Sequence, residues 1–377
     1  MNSSMPGIAQ AQSAVSRVIT HRPIRASVRL QALQHNFAQA RRLAGEARTW
    51  AVIKANAYGH GQFQVARALQ GLSDGFALLE VENALALRAA GLTQPMLLLE
   101  GFFAAEDVPV LARHDLTAAI HCREQLEMLA AAEARPARAY IKLNTGMNRL
   151  GFRPADLGAV RQQLERLGIR DLTLMSHFAG ADTPEGIETQ RQVFMQAAAG
   201  TGLPLCLANS AALIRYPEAR GDWVRPGIML YGGSPFAETP ADALGLEPVM
   251  TLESRLIGIQ ELRAGERVGY GGTFTAPGPM RIGIVACGYA DGYPRHAPTG
   301  TPVAVAGHPS RTLGRVSMDM LVVDLQDMPE VRVGAPVTLW GVGEGGRVDA
   351  DAVAAAAGTI SYELFCALAP RVPMEWR

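Results

Sequence analysis

Short apolar runs alternate with segments of helical periodicity between residues 49 and about 230. The apolar runs predict eight strands: Trp50–Lys54, Gly75–Leu79, Met96–Leu99, Leu116–Ile120, Ala139–Leu143, Leu172–His177, Leu205–Ala208 and Val224–Tyr231. Helices are predicted after most of them, for example at Phe63–Leu69, Val81–Ala90, Glu124–Ala134, Ala155–Leu167 and Glu188–Ala199. Regular alternation of this kind predicts a parallel sheet in an α/β fold. Eight units favour closure into a TIM-like (β/α)8 barrel, with a doubly wound open sheet as the alternative.

The pattern changes after about residue 245, where helical periodicity nearly disappears. Gly- and Pro-rich turns now separate short strands, predicted at Thr251–Ile259, Arg281–Cys287, Thr301–Ala306, Asp319–Asp324 and Val331–Trp340. This composition predicts a C-terminal all-β domain. We therefore expect a flexible tail at residues 1–20, a barrel domain at 21–247 that opens with a strand at Ile24–Leu30, and a β domain at 248–377.

The composition excludes several classes of protein. With 48% apolar and 19% charged residues, the 377-residue chain has ample material for a core, which excludes a disordered or fibrous protein. The 35 basic and 35 acidic residues cancel, so neither nucleic acid nor an anionic membrane is an expected partner. No apolar stretch is long enough to span a bilayer. The four cysteines form no metal or disulfide pattern, and the first 20 residues are not a secretory signal, so we expect mostly buried, reduced thiols and a cytoplasmic location.

Lysine is almost absent from this chain. Of the 35 basic residues only Lys54 and Lys142 are lysines, and the remainder are arginines. Genomic base composition accounts for the arginine excess. Arginine stays protonated, however, and cannot act as a free amine. Each of the two lysines is therefore a candidate for chemistry that arginine cannot perform.

Lys54 ends the first predicted barrel strand, in the segment Ala51–Gly61. The active sites of such barrels lie at the carboxyl ends of the strands, so the amine of Lys54 is expected at the mouth of the pocket. Burial there lowers the pKa of an amine and favours the free base that forms a Schiff base. A structural ion pair with a buried carboxylate is the alternative. The scarcity of lysine favours the catalytic interpretation.

Four more polar side chains are predicted near the ends of other barrel strands: Arg149, His177, Ser210 and Arg225. Taken singly, each is more often a structural residue than a functional one. Their equivalent positions around one barrel rim make a shared site the better hypothesis. Loops after the last two strands of such barrels often bind phosphate. Ser210, Tyr58 and the backbone of Gly227–Ile228 would supply the donors.

One further motif is weak. Gly341, Gly343 and Gly346 have the spacing of a dinucleotide-binding fingerprint, but too little chain follows for such a domain. We interpret this segment as a turn between strands or before a short helix. The following Asp349-Ala350-Asp351 is expected to cap a helix rather than bind metal, and no metal site is predicted.

The segment Ala51–Gly61 resembles the pyridoxal-phosphate attachment segment of the alanine racemases. The resemblance continues through Lys142–Arg149, Ser176–Phe178, Asn209–Ser210, Val224–Gly232, Val268–Thr273, Gly288–Arg295, Gly314–Met320 and Thr359–Glu363. It implies a homodimer in which the β domain of each copy completes the active site of the other. It also implies pyridoxal 5'-phosphate as cofactor and interconversion of L- and D-alanine, either for peptidoglycan precursors or for alanine catabolism.

The resemblance also assigns the two bases of the reaction. Lys54 holds the cofactor covalently and is one base, and Tyr270 of the partner subunit is the other. Their unperturbed pKa values, about 10.4 and about 10, are closely matched, which suits a reaction run in both directions. Arg225 faces the pyridine nitrogen and, being unable to yield its proton, keeps that nitrogen unprotonated, which we expect to suppress transamination.

Further assignments follow from the same resemblance. The cofactor phosphate is bound by Tyr58, Ser210, Gly227, Ile228 and Tyr362. His177 links Arg225 to Tyr270, and Tyr289 lines the access channel. Arg149 contacts the cofactor and the substrate carboxylate, and the backbone of the partner's Met318 binds that carboxylate. Lys142 stands at the position that some members carry as a carbamate.

Two positions depart from the family pattern, and other assignments stay open. Asn144 stands where many members have Asp, and Ser317 where many have Cys. A broad-specificity amino-acid racemase is the nearest alternative. A barrel-type amino-acid decarboxylase also joins a barrel to a β domain, but it needs a catalytic Cys from the partner and a Gly-rich phosphate loop in the barrel, and the sequence offers neither convincingly. A non-enzymatic cofactor carrier and a Schiff-base aldolase are more distant, because each leaves the β domain unexplained.

Overall fold

The computed structural model describes residues 22–377. The tail predicted at residues 1–20 lies outside this range. The first part of the chain contains nine strands: β1 (Arg25–Val28), β2 (Arg48–Val52), β3 (Gly75–Leu78), β4 (Met96–Leu98), β5 (Leu116–Ile120), β6 (Arg138–Lys142), β7 (Asp171–Met175), β8 (Leu205–Cys206) and β9 (Trp223–Val224). It also contains nine helices: α1 (Leu30–Ala44), α2 (Lys54–Tyr58), α3 (Gln62–Ala68), α4 (Val81–Ala89), α5 (Asp107–Arg113), α6 (Arg123–Ala131), α7 (Leu157–Arg166), α8 (Glu188–Ala198) and α9 (Ser210–Arg215).

Strands β2–β9 form the barrel, and the open-sheet alternative is wrong. The strand order is β8-β7-β6-β5-β4-β3-β2-β9, and each paired neighbour is parallel. The backbone N–H of Asp222 donates to the carbonyl of Leu205 at 2.9 Å, and that of Arg225 donates to Ala208 at 2.8 Å, which brings β9 against β8 and closes the ring. Strands β3 and β5 are buried along their whole length, because the barrel interior covers one face and the helices cover the other.

Most of the predicted barrel strands end earlier than expected, and in three cases the change moves a candidate site residue out of its strand. The last one ends at Val224, so Arg225 follows the strand instead of lying within it, and Ile228–Tyr231 forms a short 3-10 helix. Lys54 lies beyond β2 and begins α2. His177 follows β7, which ends at Met175. All three residues thus follow their strands, and all three line one cavity.

The second part of the chain is built mainly of strands. They are β10 (Met250–Leu262), β11 (Arg267–Val268), β12 (Phe274–Thr275), β13 (Met280–Val285), β14 (Pro302–Val305), β15 (His308–Leu313), β16 (Leu321–Asp324), β17 (Pro336–Gly343), β18 (Gly346–Val348) and β19 (Met374–Trp376). The sequence pattern missed the short helix α11 (Ser361–Cys366), whereas α10 (Ala350–Ala356) begins at the helix cap predicted at Asp349-Ala350-Asp351. The interpretation of the glycine motif is confirmed, because β17 and β18 form a hairpin. Asp349 caps α10 by accepting from the N–H of Asp351 at 2.9 Å.

The first strand, β1, belongs to the second sheet. It pairs antiparallel with β10 and parallel with β19, in the order β18-β17-β14-β15-β16-β13-β10-β1-β19. The predicted barrel boundary at residue 21 is therefore wrong for this strand, although the predicted strand itself is present. Local periodicity predicts a strand but not its partner, which is more than 200 residues away in the chain. Between residues 22 and 377, no helix is both long and apolar enough to cross a membrane.

Candidate active site

A cavity of about 920 Å³ opens at the carboxyl ends of the barrel strands, against the C-terminal helices α10 and α11. Ten residues singled out in the sequence line it: Lys54, Tyr58, Lys142, Arg149, His177, Ser210, Arg225, Gly227, Ile228 and Tyr362. The topology brings them together from six separate segments of the chain. Three other predicted residues, Tyr270, Met318 and Tyr289, do not line it.

The backbone after Lys54 forms a left-handed helical turn. Ala55, Asn56, Ala57 and Tyr58 all have φ values between 52° and 55°. For residues other than glycine this conformation costs about 1–2 kcal/mol each, and strain of this kind tends to accumulate at functional sites. The turn reverses the chain at once after β2 and fixes where the Lys54 side chain leaves the backbone.

Contacts with the C-terminal segment hold this strained turn. The indole N–H of Trp376 donates to the carbonyl of His60 at 2.8 Å. A Cβ at Gly59 would lie 2.0 Å from the carbonyl oxygen of Phe365, so only glycine allows α11 to approach this closely. The Asn56 side chain accepts from the N–H of Gln62 at 2.8 Å. The position of Lys54 thus depends on residues more than 300 positions further along the chain.

The environment of Lys54 favours its free amine. Burial lowers the pKa of its ammonium, and the positive charge of Arg149 lowers it further. The carboxylate of Glu100 acts in the opposite direction but does not cancel the effect of burial. An unprotonated amine is the form that attacks a carbonyl group and that accepts a proton.

Lys142 is the second amine of the cavity and lies at the end of β6, with only 8% of its surface exposed. Burial lowers its pKa to about 8, and Arg225 and Arg149 contribute further. Among residues 22–377, no carboxylate lies within ion-pair distance of its amine. Lys54, for which a buried ion pair is the structural alternative, likewise has no carboxylate within ion-pair distance among residues 22–377.

Arg225 is buried and held by uncharged acceptors. Its guanidinium donates to the carbonyls of Cys206 at 2.8 Å, Ser176 at 2.8 Å and Leu207 at 3.0 Å, and to the Cys206 thiol at 3.0 Å. A further contact of 3.4 Å reaches Nδ1 of His177. With no carboxylate in this set, the guanidinium brings an uncompensated positive charge to the floor of the cavity.

His177 and Arg149 face the same space from neighbouring loops. Burial and the nearby cations, Arg225 first among them, hold the pKa of His177 well below its usual value, so its ring is neutral. Arg149 is exposed at the cavity rim. Its loop is shaped by Asn144, whose side-chain oxygen accepts from the N–H of Asn148 at 3.0 Å.

A cluster of hydrogen-bond donors occupies the other end of the cavity. The Ser210 hydroxyl, at the start of α9, accepts from the N–H of Gly227 at 2.8 Å. A Cβ on Gly227 would lie 2.4 Å from the Tyr58 hydroxyl, so glycine is needed for that hydroxyl to meet the backbone. The Tyr58 ring lies 5.9 Å from that of Tyr362, centroid to centroid, and stacks at 4.7 Å on Tyr231, which fixes its direction. Burial raises the pKa of both Tyr58 and Tyr362, so both hydroxyls keep their protons and remain donors.

The three predicted residues outside the cavity lie on the β domain. Tyr270 is 71% exposed and Met318 is 53% exposed, and Tyr289 also reaches the surface. A large aromatic side chain so exposed, on a tight turn, is not positioned by packing within its own chain. None of the three contributes to the lining of the cavity in its own chain.

The sequence analysis missed several polar groups that line the cavity, among them Glu100 and Cys366. Glu100 follows β4 and could have been found by the rule that located Arg149 and His177, namely a polar residue just after a barrel strand. Cys366 lies at the end of α11, which the sequence pattern did not predict. The expectation of mostly buried thiols holds for Cys206 and Cys287, whereas Cys366 is exposed and Cys122 is half-buried.

Comparison with known proteins agrees with this geometry. The alanine racemase N-terminal domain family matches residues 28–235, and the C-terminal domain family matches residues 249–376. The alanine racemase of Polaromonas sp. strain JS666 is 52% identical over 360 residues, covering 94% of this chain and 99% of that protein. The catabolic alanine racemase of Salmonella typhimurium is 53% identical over 356 residues, covering 93% and 98%. The crystal structure of the biosynthetic alanine racemase from Pseudomonas aeruginosa matches with a TM-score of 0.90 at 47% identity, covering 94% and 99%. With both domains and nearly the full length matched, this chain belongs to the alanine racemase family of enzymes.

Proposed function

We propose that this protein interconverts L-alanine and D-alanine with pyridoxal 5'-phosphate, using Lys54 and Tyr270 as two bases on opposite faces of the substrate. The observation that carries the proposal is the half-buried Lys54 amine with its lowered pKa, in the same cavity as the donor cluster at Ser210. The match of both domains to one family disfavours the decarboxylase, carrier and aldolase alternatives. A racemase of broader specificity remains the nearest rival.

The cavity fits this cofactor. The donor cluster offers the Tyr58 and Tyr362 hydroxyls, Ser210 and the backbone at Gly227–Ile228. These uncharged donors suit a phosphate dianion, and the cluster contains no basic side chain. The cradle at Gly227 would be filled by any larger residue. Lys54 supplies the amine for covalent attachment. When bound, the cofactor withdraws electrons from the substrate α carbon and so makes its hydrogen acidic.

The residues of this chain then have separate tasks. Lys54 exchanges a proton at the α carbon on one face, and the Tyr270 hydroxyl of a second copy does so on the other. Arg149 and the Met318 backbone of that copy hold the substrate carboxylate. Arg225 would face the pyridine nitrogen of the bound cofactor, and because a guanidinium does not yield its proton, it would leave that nitrogen unprotonated and disfavour transamination.

A shared site in a homodimer is part of the proposal. Its support is the exposure of Tyr270 and Met318 on the β domain, away from the cavity of their own chain. Exposed apolar side chains on one domain favour association with a second copy. In this arrangement the β domain of each protomer would close the cavity of the other and exclude water from it.

The cellular role is proposed in two forms. In the first, the enzyme would supply D-alanine for peptidoglycan precursors; in the second, it would serve alanine catabolism. A catabolic relative matches at 53% identity and a biosynthetic one at 47%, so the comparison does not separate the two roles. We place the reaction in the cytoplasm, where the four free cysteines would stay reduced. Deletion of the gene separates the two roles, since only a biosynthetic enzyme would leave cells dependent on added D-alanine.

The decisive experiment combines activity and labelling. The purified protein, loaded with pyridoxal 5'-phosphate, should form D-alanine from L-alanine, and borohydride should fix the cofactor to the peptide that carries Lys54. Lys54→Arg keeps the positive charge but removes the reactive amine, so it should lose both activity and labelling. Racemisation by this variant at the wild-type rate would overturn the proposal. Faster racemisation of larger amino acids than of alanine would favour the broad-specificity alternative.

A further inference from the structure

Two surface loops of the β domain lie back to back. The first, residues 288–292, carries Tyr289, and the second, residues 317–320, carries Met318. The backbone N–H of Tyr289 donates to the carbonyl of Ser317 at 3.1 Å. This close contact couples the two loops, so that a shift of one moves the other.

A buried carboxylate anchors the first loop. Asp291 is fully buried, and it accepts hydrogen bonds from Arg22 at 2.9 Å and from Arg371 at 2.8 Å. It also accepts from the N–H of Gly288 at 2.9 Å. A buried charge is tolerated only when it is paired and hydrogen-bonded, and here two guanidinium groups and a backbone donor meet that requirement.

The same two arginines reach the second loop. Arg371 donates to the Asp319 carboxylate at 2.6 Å, and Arg22 donates to the Asp319 carbonyl at 2.7 Å. Two positive and two negative side chains thus form one ionic cluster, which we call the Asp291 cluster: Arg22, Asp291, Asp319 and Arg371. A guanidinium spans two acceptors in a fixed geometry, which an ammonium cannot do.

We propose that the Asp291 cluster positions the Met318 backbone that a second copy uses to hold the substrate carboxylate. Arg371 is a positioning residue in this proposal, because it joins the buried anchor Asp291 to Asp319, the residue next to Met318. The exposed Met318 side chain offers no packing of its own to hold the loop. A displacement of about 1 Å at a substrate-holding group is enough to weaken catalysis strongly. The inference rests on the proposed function.

The test compares Arg371→Met with Arg371→Lys in the cofactor-loaded full-length enzyme, measuring kcat and KM for L-alanine and D-alanine. We expect Arg371→Met to raise KM about tenfold or more and to lower kcat less, and Arg371→Lys to fall between that variant and the wild type. Arg311→Met is the matched control, since Arg311 pairs with Asp324 at 3.0 Å in the same domain but outside the cluster. The control should keep the wild-type KM.

A second variant covers the case in which Arg371→Met does not fold. Asp319→Ala removes the carboxylate that Arg371 contacts, at a side chain that is half exposed, and leaves Asp291 paired. It should raise KM severalfold with the melting temperature unchanged. A wild-type KM in Asp319→Ala and in any folded Arg371 variant would overturn the inference, even if stability or cofactor content fell.

The two proposals fail in different ways. A cofactor-loaded wild type that does not racemise alanine would refute the proposed function before any variant is compared. An active wild type whose cluster variants keep its KM would refute only the positioning role of the cluster.

Discussion

The guanidinium of Arg225 lies 3.4 Å from Nδ1 of His177, and this contact fixes the state of the imidazole. A guanidinium has only donors, so Nδ1 accepts and the neutral ring carries its proton on Nε2. The pKa of His177 is held well below its usual value by burial and by the Arg225 charge, which keeps the ring neutral at physiological pH. Arg225 is thus a permanent cation beside a neutral histidine.

Replacing Arg225 with an acid should change the fate of the cofactor. Arg225→Glu would protonate the pyridine nitrogen, spread the carbanion charge into the ring and increase transamination per racemisation turnover. The measurement is the ratio of pyruvate and aminated cofactor to D-alanine formed. Arg225→Lys retains a cation and is the control, for which we expect a much smaller increase. An unchanged ratio in Arg225→Glu would contradict the assigned role.

Gly227→Ala should weaken cofactor binding without unfolding the barrel. The new Cβ would lie 2.4 Å from the Tyr58 hydroxyl and would push it out of the donor cluster. We expect affinity for pyridoxal 5'-phosphate to fall at least about tenfold, which equals about 1.4 kcal/mol, as measured by titration of the cofactor-free protein. Gly158→Ala, in helix α7 with open space around it, is the control. It should bind normally and gain about 0.5–1 kcal/mol of stability.

Two inactive variants should restore activity when mixed. Lys54→Ala and Tyr270→Phe each remove one base from both sites of a homodimer. A heterodimer of the two has one site with both bases intact if the bases come from different chains. Equilibrated equal mixtures should therefore recover about a quarter of the wild-type activity per chain, because half of the dimers are mixed and one of their two sites works.

The control for this experiment is a mixture of Lys54→Ala with a Lys54→Ala, Tyr270→Phe double variant, in which no site has both bases. It should stay inactive. If the first mixture also stays inactive although mass spectrometry of the intact complexes detects mixed dimers, Lys54 and Tyr270 do not act in one site across the interface.

Lys142 should take up carbon dioxide more readily than an ordinary lysine. Its pKa is lowered from 10.5 to about 8 by burial and by Arg225 and Arg149, so about a tenth of its amine is unprotonated at pH 7. The free amine fraction rises with pH through about 8, and so should carbamate formation. Isotope-labelled bicarbonate and carbon NMR would detect a carbamate in the wild type. Lys142→Arg is the control and should show none; equal signals in both would contradict the assignment.

The same lowered pKa has a consequence for stability. The pKa of Lys142 is higher in the unfolded chain than in the folded protein, so the unfolded chain binds the Lys142 proton more strongly. Wherever the unfolded state binds more protons, stability rises with pH. The contribution of Lys142 to the free energy of unfolding should therefore increase between about pH 8 and pH 10.5. Lys142→Met should flatten that part of the denaturation profile.

Much of the fold and of the site could be predicted from the sequence alone. The alternation of apolar runs with helical segments determined the barrel, because burial on both faces of a parallel strand requires continuous apolar runs. The rule that barrel sites lie at the carboxyl ends of strands located Lys54, Arg149 and His177 in one cavity. The scarcity of lysine singled out Lys54 and Lys142, and the structure brings both to that cavity.

Only the tertiary structure decided the features that depend on distant parts of the chain. The pairing of β1 with the second sheet, the left-handed turn held by Gly59 against Phe365, and the ionic cluster around Asp291 each join segments far apart in sequence. Periodicity is a local signal that reports which face of a strand or helix is buried, not what covers it. The chemistry of the site was thus set by residue types along the chain, whereas its exact shape depends on long-range contacts that no local pattern encodes.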